Sequence, residues 1–531
     1  MRSPRTIIAT AAALAVGLAG CGGDSGVATA RADRIEDAAT EDTPTEETPT
    51  EDTPTEDTTP TEDTTPTEDT ATDDTMPGDD PFVWDEFLPG VETGLLEVPV
   101  DYEDPDGPTF ELFVARRLAD DQANKIGSLL VNPGGPGFGG SDFAVYADQI
   151  YGQDLLERFD IVGWDPRGTG LSEPAIDCVD DYDAYFAATD ITPDDDAERQ
   201  EIIDLAEEFA DACVENNAET FAHVGTNNSA RDIDAIREAL GEDTISYFGF
   251  SYGSELGATW ATLFPDTVRA AVLNGAADPN ADGIEGSLQQ VVGFEGTLTT
   301  YLSDCSEDPS CLFHNDGDAE GAFDDLMAQL DEKPIPSQTG RPDVTRGVAL
   351  QGVTQAMYSD ALWPQLSRAL VDAQGGDGAG LLALYDAYYQ RHPDGTWGNE
   401  LEAFQTISCM DDPERLTVEE DDATAPEFNE AGPRFAPGTT GSYFCTFYPP
   451  SEDPRIDITG AGAGPIVVIG TTGDAATPLS STRAMAETLE EGRLVVVTAD
   501  QHTGYGLNPC VDAVVHEYLV DLVDPPEETE C

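Results

Sequence analysis

The sequence predicts an α/β fold: a mostly parallel central sheet flanked by helices, with a large, mainly helical cap inserted before the last two strands. Three observations predict it. Short apolar runs recur, each stopped by a Gly/Pro turn, as strands buried on both faces do. Stretches with apolar residues at helical spacing separate them. The strand signal then lapses after residue 273 and resumes only near residue 465.

The elements follow in order. Residues 95–100 and 109–116 read as strands, and 126–131 as a third, closed by Asn132-Pro133-Gly134-Gly135-Pro136-Gly137. Residues 159–164 form the next and end in Asp165-Pro166-Arg167-Gly168. From 194 to 240 the pattern is helical, with Ile233, Ile236 and Leu240 on one face. Strands resume at 244–250 and 270–273, and again at 465–470 and 493–498. Between them, 280–454 is helix-like and rich in aromatics, acids and cysteines, and reads as the cap. Residues 81–279 and 455–531 are then the two parts of the sheet domain.

The amino terminus predicts the compartment. Residues 1–5 carry two arginines and 6–18 are apolar or small, a charged region followed by an apolar one too short to span a bilayer. The run ends Leu18-Ala19-Gly20-Cys21, which resembles the bacterial lipobox, where the cysteine is lipidated. Ordinary signal cleavage, with Cys21 incidental, is the plainer alternative. No other window approaches the ~18 apolar residues of a membrane span. Residues 1–20 are therefore expected to be a lipoprotein signal peptide, and membrane association to run through a lipid anchor at Cys21 alone. The expected place is the cell envelope, on the outer face of the cytoplasmic membrane, or the medium after release. Residues 21–80, dominated by Thr, Glu, Asp and Pro, have almost nothing to bury and should form a disordered, extended tether.

The formal net charge is −84. Sixteen acids and no bases lie between residues 41 and 80, which leaves −68 on the rest, with only Lys125 and Lys333 as lysines. Such a surface excludes nucleic-acid and anionic-lipid binding, which need clustered bases. It repels itself unless salt screens it, so adaptation to high salt is expected. Nine cysteines suit an oxidising compartment. Without Cys21, eight remain, and neighbour pairing gives 178–213, 305–311, 409–445 and 510–531. None has zinc-site spacing, and neither a metal nor a cofactor is expected.

Gly249-Phe250-Ser251-Tyr252-Gly253 is the sole Gly-x-Ser-x-Gly in the chain. A nucleophilic serine on a strained strand-to-helix turn needs glycine on both sides, where side chains would clash. A β-like run ends at Phe250 and a helix-like run spans 255–264, which argues against an ordinary glycine-rich turn. Such a serine needs a base beside it. Of five histidines, His502 lies on a loop just past the last apolar strand, where this chemistry presents its base. His223 precedes the serine, His314 and His392 fall in the cap and His516 on a C-terminal helix; surface or core roles suit these four. The orienting acid has two candidates. Asp474 follows the next-to-last strand on a glycine-containing loop, and Asp278 follows the strand after the serine. Asp474 has the better loop, and Asp500 reads as a solvated charge. The oxyanion needs two backbone N–H groups, expected from Tyr252 and from Gly135 in the glycine loop. No Gly-Lys-Ser/Thr follows that loop, so a phosphate cradle is excluded. Asp165-Pro166-Arg167-Gly168 should brace it.

With these residues assembled, the chain resembles the proline iminopeptidase and tripeptidyl aminopeptidase group of α/β-hydrolases, of the secreted or lipid-anchored actinobacterial type. The markers run from residue 95 to 531: Glu97-Val98-Pro99-Val100-Asp101-Tyr102, the glycine loop, Trp164-Asp165-Pro166-Arg167-Gly168-Thr169-Gly170, the serine turn, Thr472-Gly473-Asp474 and Gln501-His502-Thr503-Gly504. The resemblance implies an α/β-hydrolase fold, a triad of Ser251, Asp474 and His502, and release of tripeptides or single residues from peptides with a free N-terminus. It also implies that cap carboxylates grip the substrate ammonium, though the many acids here leave open which. One departure is Asn132-Pro133, where many relatives carry histidine. A carboxylesterase or lipase using the same triad is the competing enzyme, and a non-catalytic binding module the competing class. Dehalogenases and epoxide hydrolases are excluded, since they need aspartate in place of Ser251.

Overall fold

Ten strands form one sheet: β1 (Asp85–Leu88), β2 (Val91–Pro99), β3 (Thr109–Arg117), β4 (Gly127–Asn132), β5 (Phe159–Trp164), β6 (Ile245–Phe250), β7 (Val268–Asn274), β8 (Ile466–Thr471), β9 (Gly492–Val497) and β10 (Glu528–Glu530). The computed structural model describes residues 81–531 apart from 190 and 194; the signal peptide, Cys21 and the tether lie outside the described residues. The strand order is β1-β2-β3-β5-β4-β6-β7-β8-β9-β10. The first three and the β3–β5 contact are antiparallel, and every pair from β5 to β10 is parallel. β5, β6 and β8 are buried at every residue, as continuous apolar runs require, whereas Gly94, Leu96 and Val98 of β2 alternate inward with exposed Leu95 and Glu97.

The sheet extends one strand beyond the expected set at each end. β1 has three exposed residues of four and β10 reads Glu-Thr-Glu, so neither carries an apolar signal. Cys510–Cys531 ties the segment after β10 to a neighbouring helix, and the other bridges are Cys178–Cys213, Cys305–Cys311 and Cys409–Cys445, the neighbour pairing.

Helices α1 (Asp196–Asn216) and α2 (Thr226–Ala239) lie between β5 and β6, and α3 (Tyr252–Leu263) leaves the serine turn. Between β7 and β8 the chain makes α4 (Gly283–Glu307), α5 (Ala319–Glu332), α6 (Arg346–Met357), α7 (Trp363–Gln374), α8 (Ala379–Tyr388) and α9 (Glu400–Asp411), with shorter turns after them. These helices have their own core, in which Leu298, Phe323, Val353, Leu366 and Leu381 are fully buried. Ala475 and Ala476, next to Asp474, belong to that core. α10 (Leu479–Thr488) and α11 (Pro509–Asp521) return to the sheet. The glycine loop after β4 and the serine turn after β6 thus sit side by side at the carboxyl ends of parallel strands, where β4 is flanked by β5 and β6, the usual ligand crevice of such a sheet.

Candidate active site

Ser251 ends a fully buried strand and starts a helix, with φ 54° and ψ −127°. That conformation costs a non-glycine residue ~1–3 kcal/mol and persists only where neighbours enforce it. They do: the Ser251 N–H donates to Asn274 O at 2.8 Å, and both flanking glycines are jammed. A Cβ on Gly249 would lie 2.1 Å from Gly253 O, and one on Gly253 2.7 Å from Asn132 O.

His502 follows β9, its ring clamped by the cap. Its backbone N–H donates to Tyr358 O at 2.9 Å, and the Tyr358 ring meets the imidazole edge-on at 5.4 Å. Nδ1 lies 2.9 Å from both oxygens of Asp474. The Asp474 side chain is fully buried and also accepts from the N–H groups of Ala476 (3.0 Å) and Thr477 (2.8 Å) and from Thr477 Oγ1 (3.0 Å). An ionised carboxylate only accepts, so Nδ1 carries the proton and Nε2 is left as the acceptor. Nε2 is buried and has no hydrogen-bond partner among the described residues. It belongs to a side chain lining the same cavity as Ser251.

The other candidates separate. Asp278 accepts from Asn280 and Gln289, away from the imidazole. Asp500 is half-buried rather than solvated; burial, with Asp304 and Asp360 adding, pushes its carboxyl up. Its carbonyl accepts from Asp360 N–H, because the cap segment 359–360 lies along 500–501. His223, His314, His392 and His516 do not line the cavity. His314 Nδ1 meets Cys305 O, and His516 Nε2 meets Tyr505 Oη, both at 2.9 Å.

In the glycine loop, Gly134 N–H is taken by Asn132 Oδ1 at 2.9 Å. A Cβ on Gly134 would lie 2.8 Å from Ser251 Cβ, so the loop rests directly on the serine. Gly135 lines the cavity, with φ 112°. Its N–H and that of Tyr252, the first residue of α3, point to no protein acceptor among the described residues. Asp165 braces the end of the loop by accepting from Ser141 N–H at 3.0 Å and Leu171 N–H at 2.8 Å. Arg167 does something else: it pairs bidentately with Asp232 of α2 at 2.8 and 2.6 Å, both side chains fully buried.

The cavity measures about 790 Å³, within the range of ligand pockets. Its walls come from the cap and also from the segment between β5 and β6, which supplies Tyr185, Phe186 and Phe209. Aromatics alternate with six glutamines, and among the described residues lining it there is no Lys or Arg and one carboxylate, Glu400. Glu400 opens α9, and its Oε2 is buried without a partner among the described residues. Burial, with the charge of Asp165 adding, pushes its carboxyl up to about 7. Sequence reasoning did not single out Glu400, Thr477, Asn274 or Tyr358. Only Glu400 belonged to a class it named, the cap carboxylates.

Two family descriptions match the chain: alpha/beta hydrolase fold over residues 127–344 and TAP-like protein over 434–531. Serine protease Hip1 of Mycobacterium tuberculosis is 37% identical over 462 residues, 83% of this chain and 87% of that protein. Carboxylesterase B of the same species is 36% identical over 454 residues, 82% and 85%. Tripeptidyl aminopeptidase of Streptomyces coelicolor is 30% identical over 460 residues, 83% of each. The chain belongs to the α/β-hydrolase family and is a serine hydrolase of its aminopeptidase-like type.

Proposed function

We propose that the protein is a serine exopeptidase that releases tripeptides or single residues from free N-termini through an acyl-enzyme on Ser251. The observation that carries the reading is Glu400, the one carboxylate among the described residues lining the cavity shared by Ser251 and His502, none of which is Lys or Arg. An ammonium is the one charged group such a cavity can neutralise, and burying it unpaired would be costly. Acidic residues near the substrate N-terminus find no counter-charge there.

His502 Nε2 takes the proton of Ser251 Oγ as the oxygen attacks the carbonyl, while Asp474 holds the imidazole and stabilises its charged form. The oxyanion takes the N–H groups of Tyr252 and Gly135. His502 then protonates the leaving amine, and water attacks the acyl-enzyme by the same route. The anchor at Cys21, the tether and an extracytoplasmic, salt-rich setting belong to the same reading. Four disulfides and a net charge of −84 support it. No helix among the described residues is long and apolar enough to cross a membrane.

The test compares a tripeptide anilide with its N-acetylated twin in high salt, with Ser251→Ala as control and fluorophosphonate labelling to count active serines. Cleavage of the free form alone, lost in the variant, is the expected result. Hydrolysis of short-chain esters with neither anilide cut would favour an esterase, the activity named in one relative.

A further inference from the structure

A chain of hydrogen bonds runs from Tyr252, the residue after Ser251, into the cap. Tyr252 Oη and Thr226 Oγ1 are 2.5 Å apart. Thr226 Oγ1 donates to Asp411 Oδ2 at 2.5 Å, and the Thr226 N–H donates to Asp411 Oδ1 at 2.7 Å. A hydroxyl has one proton to give, so with Thr226 donating to Asp411 the phenol must donate to Thr226. The order is therefore Tyr252 to Thr226 to Asp411. Asp411 also meets the first amide of α2, where a helix N-terminus favours a negative charge. A Cβ on Gly225 would lie 3.0 Å from Asp411 Oδ1, so glycine there lets the carboxylate come close. After burial, Glu255 of α3 pushes the Asp411 carboxyl up more than Arg455, which holds Glu255 at 2.5 Å, draws it down.

Three elements meet at this chain: α2, the nucleophile helix α3 and the cap helix α9. Asp411 ends α9 and Glu400 begins it, ~16 Å apart along the axis. The opposite end of α9 touches the glycine loop, since a Cβ on Gly137 would lie 2.5 Å from Glu400 O. Both sources of oxyanion N–H groups are thus linked to one cap helix, the glycine loop by direct contact and Tyr252 through Thr226.

We propose that Asp411 is a positioning residue for acyl transfer: through Thr226 it fixes the Tyr252 side chain, and with it the aim of the Tyr252 N–H at the oxyanion. The inference rests on the serine exopeptidase reading above. Asp411 and Thr226 touch neither substrate nor the reacting atoms; they act through Tyr252.

Tyr252→Phe, Thr226→Val and Asp411→Asn are compared in the full chain, with the free tripeptide anilide as substrate. Each is expected to lower kcat about tenfold with KM within twofold, less than the ~10²-fold or more that losing an oxyanion donor costs. Because the three act as one chain, Tyr252→Phe/Asp411→Asn should be no slower than the worse single variant. Tyr252→Phe deletes one hydroxyl and keeps the N–H, so it guards against a variant that fails to fold, with Tm measured for each. Unchanged kcat, a matching rise in KM, or losses that add in the double variant would each overturn the proposal. If wild type is labelled by fluorophosphonate but cuts no free peptide, the exopeptidase reading fails instead. Ester kcat in the same variants then still tests the positioning.

Discussion

At the scale of single residues, Glu400 carries the sharpest expectation. Its carboxyl must be ionised to hold an ammonium, and burial holds it up to about 7. A raw profile mixes this with whatever pH dependence acyl transfer has of its own. Dividing kcat/KM for a free tripeptide anilide by that for a small activated ester, which uses the same nucleophile and base but no ammonium, removes the shared part. That ratio should rise with pH through about 7 and fall again above ~8, where the substrate amine loses its proton. Glu400→Gln should raise KM for free peptides about 30-fold and flatten the rising limb, leaving the ester untouched; an unchanged ratio would sink the assignment. A second expectation is steric. Gly249→Ala would place a methyl 2.1 Å from Gly253 O, so soluble expression or fluorophosphonate labelling should be lost. Ser251, Asp474 and His502 could be picked out as candidates from sequence because each follows a strand on a recognisable loop. Glu400 could not, since what distinguishes it among the acids is that it lines the cavity of Ser251 and His502, whose described lining residues come from distant parts of the chain.

Among elements, α9 carries one buried carboxyl, Glu402, and two half-buried ones, Glu400 and Asp411. Glu400, Glu402 and Asp411 are all pushed up to about 7, burial being the largest cause for each. Glu402 is 3% exposed and accepts from the N–H groups of Cys178 and Val179 at 3.0 and 2.7 Å. In the unfolded chain these groups titrate near ~4. Between about pH 4.5 and 7 the folded state therefore binds more protons than the unfolded one, and stability falls as pH rises across that window. Thermal melts in constant high salt should give a Tm roughly 5 °C higher at pH 5 than at pH 8. Glu402→Gln should shrink that difference, and a Tm that rises with pH would contradict it. The strands from β2 to β9 were legible because apolar runs ended in Gly/Pro turns. β1 and β10 were not, because an exposed edge strand of charged residues owes its place to its neighbour's backbone. The wall supplied by Tyr185, Phe186 and Phe209 was likewise invisible: a helical periodicity announces a helix but not which cleft the helix covers.

Over the whole molecule, charge is the dominant property. A net −84 on a chain with 23 bases repels itself across distances that ~0.1 M salt screens only beyond ~10 Å, while ~1 M shortens the reach to ~3 Å. Tm and specific activity are expected to climb between 0.1 and ~2 M salt, with sucrose at matched osmolality giving no comparable gain. Equal stability in dilute buffer would end the high-salt reading. The division of the sheet has a consequence in time. Ser251 and His502 stand 251 positions apart, and the cap is made between them. At ~5–20 residues per second, the ribosome completes the serine turn roughly 10–50 s before the imidazole exists. Until then β7 waits for β8. A hydrolase built in this order is inert for most of its own synthesis, and its first turnover must follow the closing of the sheet around β8 and β9.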